Sequence, residues 1–305
     1  MITVFLGLGG ALLFGASDFI GGIASRVTSP LKVTAYSALT GLVLLGTALA
    51  ITGGAWSAEA VLFGLLSGIA VGSALALLYK SLAIGPMSIL SPLTGLISAL
   101  VPMTVGLLRG ERLGLVGYPA LALALIAVLL IGFSPGKTTR RPSALGLATA
   151  SGAGILFGLF LILIDITPAD SGLIPLVFSR AASATVMGLA ILWMIGMTRS
   201  RRLAKQPSVD AVPGSMRFLA DSPGTPSWRM GLKLAIACGV IDSIANTLQL
   251  LGLRVGELSV MSVLNAMYPA GTIILAALVM QERVTRLQLV GLTLALVAAV
   301  MLALA

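Results

Sequence analysis

The sequence predicts an all-α membrane protein, ten transmembrane helices arranged as two inverted five-helix repeats. Three observations predict it. Hydrophobic residues make up 58% of the 305 residues and charged residues only 10%, with a mean hydropathy of +1.09. Apolar runs of membrane-spanning length recur about ten times along the chain. A stretch beginning at Gly85 returns, in the same order of marker residues, at Gly256.

Composition sets the solvent. Soluble domains carry about 25% charged residues, and a chain of this size with so few cannot cover a water-facing surface. Glycine is abundant, 36 residues. In a soluble helical protein this would weaken the helices, whereas in a membrane bundle small residues let helices approach closely. Gly64, Gly68 and Gly72 form such a stripe at four-residue spacing, as do Ser17, Gly21 and Ser25, and Gly154 and Gly158. The single cysteine, Cys238, has no intrachain partner to form a disulfide, and there is no histidine. Histidine metal sites and Ser/His or Cys/His nucleophile systems are therefore excluded.

The spans fall near 2–24, 33–52, 60–79, 86–108, 113–133, 144–164, 173–197, 231–253, 258–280 and 286–305. The first starts without a basic leader and reads as a membrane span rather than a cleaved signal. Turn residues separate the runs: Ser29-Pro30, Gly53-Gly54, Gly85-Pro86, Ser134-Pro135-Gly136 and Ala169 to Gly172. Proline lacks the helical donor and glycine tolerates turn dihedrals, so helices stop there. One long polar segment, 198–230, holds Arg199, Arg201, Arg202, Lys205, Arg217 and Arg229 with four prolines, and reads as a flexible cytoplasmic loop.

The net charge of +9 has a topological meaning, not a nucleic-acid one. Fifteen of the nineteen basic residues fall in loops after odd-numbered spans: Arg26, Lys32, Lys80, Lys137, Arg140, Arg141, Lys233, Arg283, Arg286 and the six of the long loop. Arg109, Arg112 and Arg254 fall on the other side, and Arg180 lies inside the seventh span. Positive residues favour the cytoplasm, so both chain ends are expected outside and the long loop inside the cell (inner/plasma) membrane.

The repeat joins Gly85–Leu113 to Gly256–Val284 at a constant offset of 171, with eight identities that include Ser88/Ser259, Ser91/Ser262 and Glu111-Arg112/Glu282-Arg283. Leu13-Phe14-Gly15 matches Leu156-Phe157-Gly158 at an offset of 143. The offsets differ by about the length of the long loop, which reads as an insertion in the second half. The expected units are 1–136 and 143–305. Five helices per unit force opposite orientations, the inverted repeat of many secondary transporters, whose site lies between the halves near the midplane. The Glu-Arg pair reads as a helix-end feature.

These residues resemble the drug/metabolite transporter superfamily, in its ten-helix EamA-type branch. The marks are Leu13-Phe14-Gly15-Ala16-Ser17, Arg180, Gly110-Glu111-Arg112, and Tyr268-Pro269 through Gln281-Glu282-Arg283. The resemblance spans nearly the whole chain and implies export or exchange of small metabolites, amino acids or drugs. The chain departs from even halves: Ser98 stands opposite Pro269, no arginine matches Arg180, and the long loop is unusual.

Ionisable groups inside spans are costly and mark function by default. Asp242 lies mid-span, with Asn246 and Gln249 at i+4 and i+7 on one helix face. Such a stripe needs water or protein partners, as cavity wall or as an interhelical network. Asp18 can bind a cationic group, shuttle a proton, or sit hydrated near an interface. An acid at a similar place in smaller multidrug members of the superfamily offers an analogy of position. Arg180 can bind a substrate carboxylate or phosphate in a fork, or pair with Asp242 or Asp18. Ser262, Asn265, Tyr268 and Pro269 in the ninth span, and Ser91, Pro92 and Thr94 in its counterpart, offer a proline kink and a polar lining, though serine and threonine also back-bond to their own helix. Tyr79 is a pathway candidate that also reads as an interface anchor beside Lys80. Trp56, Trp193 and Trp228 read as anchors too, and Asp165 and Asp170 as solvated helix ends.

One cation with two acids suits a zwitterion such as an amino acid. The expected function is a secondary transporter that moves a small metabolite, an amino acid or related compound, outward by alternating access. A multidrug or cation carrier is the alternative, and a membrane-embedded enzyme a third reading that the scattered acids fit poorly. No P-loop is present, so direct ATP drive is not expected. No cofactor is expected. The expected partners are a small-molecule substrate, protons and the lipid bilayer, with no nucleic acid and a monomer or homodimer.

Overall fold

The computed structural model describes residues 1–28, 30–84, 87–132, 143–203, 226–281 and 284–304, without the side chains of 26, 30, 31, 79, 82–84, 87, 88, 91, 190, 191, 193–203 and 226–228. The helices are α1 (Ile2–Val27), α2 (Pro30–Thr52), α3 (Ala58–Ile84), α4 (Met87–Leu108), α5 (Gly117–Gly132), α6 (Ala144–Asp165), α7 (Ile174–Leu203), α8 (Pro226–Val255), α9 (Leu258–Asn265), α10 (Tyr268–Val279) and α11 (Arg286–Leu304). A 3-10 turn, Ala169–Ser171, precedes α7. Among the described residues no strand occurs.

Among the described residues, seven segments are long and apolar enough to cross a membrane, one of them the combined Leu258–Val279. Three shorter apolar helices, Pro92–Leu108, Gly117–Gly132 and Ile174–Leu189, stand at the other expected spans. Large apolar side chains such as Leu12, Val43, Ile69, Leu189 and Leu296 are exposed on these helices. In water they would be a liability, and in lipid they are the natural outer face. The chain is a multi-pass membrane protein.

Three boundaries differ from the sequence reading. The fifth helix begins at Gly117 rather than 113, because Gly114–Val116 turn and Gly117 N–H donates to Gly114 C=O at 2.8 Å. The polar segment 198–230 is helical at both ends, since α7 runs to Leu203 and α8 starts at Pro226. No proline interrupts 198–203, and proline at the first helical position suits a helix start. Of that segment, 204–225 lies outside the described residues, as do the turn residues Ser29, Gly85, Pro86 and 134–136, and Glu282-Arg283. The ninth span is not one helix. Ala266 and Met267 leave the α-helical path between α9 and α10.

Helix pairing follows a pattern. α1 packs along α8 and α10, and α6 along α3 and α4. α2 packs on α8 and α3 on α7, while α5 meets α11, α2 meets α7 and α4 meets α9. Exchanging α1–α3 with α6–α8, α4 with α9–α10, and α5 with α11 leaves this pairing unchanged. Small residues permit the closest pairs. A Cβ on Gly68 of α3 would overlap the Ser179 carbonyl of α7 and lie 2.7 Å from Ala182 Cβ. The largest apolar cluster joins α5 and α11 to α9 through Leu121, Val128, Ile131, Val263, Leu264 and Leu302.

Candidate functional site

Helices α1, α3, α4, α6, α7 and α8 and the α9–α10 break enclose a cavity of about 240 Å³. Its charged lining is Asp18, Arg180 and Asp242, and its amide and phenol lining is Asn246, Gln249, Asn265 and Tyr268. Ligand pockets run from roughly 300 to 1,000 Å³, so this one fits a compact molecule.

Arg180 stands six residues into α7, which Gly172, with φ of 57°, turns away from the 3-10 segment. Its Nη2 donates to Asp242 Oδ2 of α8, and the two side chains are 20% and 21% exposed. Asn246 extends the pair: its Nδ2 donates to the Asp242 carbonyl at 2.8 Å and reaches Asp242 Oδ2 at 3.4 Å. Of the two partners open to Arg180, the fold selects Asp242. Asp18 is exposed to the cavity, with no salt-bridge partner among the described residues. It lines the cavity. Gln249 is 3% exposed, and among the described residues neither its amide oxygen nor its nitrogen has a hydrogen-bond partner.

The α9–α10 break is where Pro269 acts. It occupies the start of α10, where its missing N–H is not needed. The helical ladder ends with Ala266 N–H donating to Ser262 C=O, and a tighter i to i−3 bond from Met267 N–H to Leu264 C=O follows, both at 3.1 Å. Asn265 ends one helix and Tyr268 opens the next, so both side chains reach the cavity. Helix ends leave backbone groups free for a ligand. The counterpart α4 stays continuous despite Pro92 and Pro102. Thr94 lines the cavity and donates to Leu90 and Ala150 carbonyls, both at 3.0 Å.

Other candidates fall elsewhere. Ser262 is buried and back-bonds to Ser259 C=O at 2.8 Å, away from the cavity, since its hydroxyl finds that carbonyl one turn earlier. Pro269 is not in the lining itself. The side chains of Tyr79, Ser91, Trp193 and Trp228 lie outside the described residues. Trp56 packs edge-on against Phe178, ring centres 5.9 Å apart. Sequence reasoning missed the apolar lining: Val71, Leu75 and Leu78 of α3, and Phe160, Leu161 and Leu176. A signal for the α3 wall was present. The offset of 171 carries Asp242, Asn246 and Gln249 onto Val71, Leu75 and Leu78.

A polar network joins helix ends on the face that holds the start of α1. Gly110, with φ of 96°, follows α4 and lets Glu111 N–H return to Gly106 C=O at 3.2 Å. The Glu111 carboxylate then accepts from the backbone N–H of Leu258 at 2.8 Å and of Ser259 at 3.0 Å, and from the Ser259 hydroxyl. It caps α9, as a helix-end role requires. Asp165 is no free solvated end: it pairs with Arg109 at 2.9 Å, because the ends of α4 and α6 meet there. Arg254 donates to the Thr167 carbonyl and, at 2.6 Å, to its hydroxyl. Between these, burial and then the Glu111 charge push Glu257 above the ordinary carboxylate range, with a hydrogen bond to Glu111 adding to it.

A helical bundle with an apolar exterior around a cavity of mixed polar and apolar lining defines a multi-pass membrane protein. Residues 144–304 match the model of the EamA-like transporter family, and the chain belongs to that family, within the drug/metabolite transporter superfamily. The comparison with curated proteins found no match. A solved structure, described only as the crystal structure of a protein, superposes with a TM-score of 0.69 at 15% identity over 99% of this chain and 97% of the other, a likeness of fold.

Proposed function

We propose that the protein is a secondary transporter that exports a small zwitterionic metabolite, an amino acid or a related compound, across the cytoplasmic membrane by alternating access. In this reading the ten spans are two inverted five-helix units, 1–136 and 143–305, with the α9–α10 segment as one span. The pairing of helices that survives exchange of the units supports it. Inverted units of this kind hold their substrate between them.

The observation that carries the reading is the convergence of Asp18, Arg180 and Asp242 on one cavity in a member of a transporter family. Arg180 is the group for a substrate carboxylate and Asp18 the group for its ammonium. Asp242 holds Arg180 in place when the cavity is empty and releases it to the substrate. Asp18 and Asp242 are the groups for proton coupling. The bias of positive residues supports a cytoplasmic side for the 198–230 segment.

Efflux from proteoliposomes loaded with a labelled amino-acid mixture tests this, with Asp242→Asn as the control. Flux above empty liposomes that Asp242→Asn abolishes is the expected result. Flux indifferent to Asp242→Asn, or none for any amino acid, rejects the reading. A second reading follows from the unpaired Asp18: with Arg180 and Asp242 neutralising each other, the cavity suits an organic monocation. Flux of a labelled amine in place of amino acids selects it.

A further inference from the structure

Positions that correspond between the two halves of the chain line the cavity together, yet their chemistry has diverged. Asp242, Asn246 and Gln249 of α8 stand at the offset of 171 from Val71, Leu75 and Leu78 of α3, and all six line the cavity. At the offset of 143, Asp18 of α1 corresponds to Leu161 of α6, and both line it as well. In each pair one helix offers a polar side chain where the other offers an apolar one. The α8 face of the cavity therefore offers hydrogen-bonding groups where the α3 face is apolar.

Gln249 sharpens the assignment. Its side chain lines the cavity, is buried, and among the described residues leaves both amide atoms without a partner. Buried polar groups are nearly always paired, and an amide offers one donor group and one acceptor side by side. The occupant that pairs with it carries hydrogen-bonding groups at one end. The α3 wall has nothing to offer such groups and gains only from apolar contact.

We infer that the substrate is a small amphiphile, with a charged or hydrogen-bonding head read by Gln249 on α8 and an apolar tail seated on Val71, Leu75 and Leu78 of α3. This deepens the transport reading above and rests on it. Gln249 is the head-group determinant and Leu78 its counterpart for the tail. A substrate without a tail leaves the α3 wall against water, and each methylene placed in an apolar pocket favours binding by about tenfold or more.

The experiment uses the full chain purified in detergent. Its thermal unfolding is followed against glycine and L-leucine, which share a zwitterionic head, and against ethylamine and 3-methylbutylamine, which share a cationic one. The tailed member of at least one pair should stabilise the protein at about tenfold lower concentration or less. Leu78→Gln should erase that preference. Gln249→Leu should weaken both members of the pair alike and keep the preference. No tail preference in either pair, or a preference that Leu78→Gln leaves intact, overturns the inference. The head group that binds reports separately on transport: stabilisation by the amines alone rejects the amino-acid reading and leaves the amphiphile standing.

Discussion

Arg180 of α7 and Asp242 of α8 form an ion pair on the wall of the central cavity, each about one-fifth exposed. Removing one partner of a fully buried pair costs about 3–5 kcal/mol, because the other charge is left alone. Cavity exposure lowers that cost here. Arg180→Met and Asp242→Leu should each lower the unfolding midpoint, and the double variant should recover most of the loss. Transport should be absent in all three. Additive losses in the double variant would show that the two residues do not act as a pair.

Gln249 predicts a trade between stability and function. A buried amide with no partner costs about 1–3 kcal/mol, and leucine at the same place removes that cost. Gln249→Leu should raise the unliganded unfolding midpoint and lower transport. A fall in the midpoint would mean that the amide is satisfied within the fold.

The Glu111 cap predicts a pH effect at the membrane face. Glu257 titrates above its ordinary value of 4.5 because of burial and the neighbouring Glu111 carboxylate. The folded state therefore holds more protons than the unfolded one, and stability falls as pH rises from about that value through the raised one. Glu257→Gln should flatten this part of the pH profile. Glu111→Gln should remove the charge from the α9 N-terminus and lower the stability at neutral pH by about 1 kcal/mol or more, read as a fall in the unfolding midpoint. Unchanged pH profiles in both variants would refute the coupling.

Packing gives a test with its own control. Gly68→Ala drives a methyl into the Ser179 carbonyl and against Ala182, and overpacking of this kind costs about 1–3 kcal/mol. Gly22 has nothing within 4 Å of the same added atom, so Gly22→Ala should be neutral or slightly stabilising. Equal midpoints for the two variants would contradict the close α3–α7 approach.

Much of this was legible in the sequence. Hydropathy located the helices within a few residues, apart from the break in the ninth expected span, since lipid forces every backbone polar group into helix and punishes charge along the span. Helical spacing put Asp242, Asn246 and Gln249 on one face, and all three line the cavity. Burial cost flagged Asp18 and Arg180, and both line it too. Of the two readings open to Ser262, polar lining or a back-bond to its own helix, the second holds, since its hydroxyl donates to Ser259 C=O.

The sequence by itself determined that the chain is a helical membrane protein with polar groups at particular depths, because hydropathy and helical period act locally. Only the tertiary structure decided which helices meet. It paired Arg180 with Asp242 rather than Asp18, turned Asp165 toward Arg109, and brought Glu111 to the start of α9. It also split the ninth span at Ala266–Met267 and set an apolar α3 wall in the cavity that α8 lines with polar groups. Each of these joins residues far apart in the chain or depends on how neighbouring helices pack, and a local pattern carries no information about which distant partner lies across the gap.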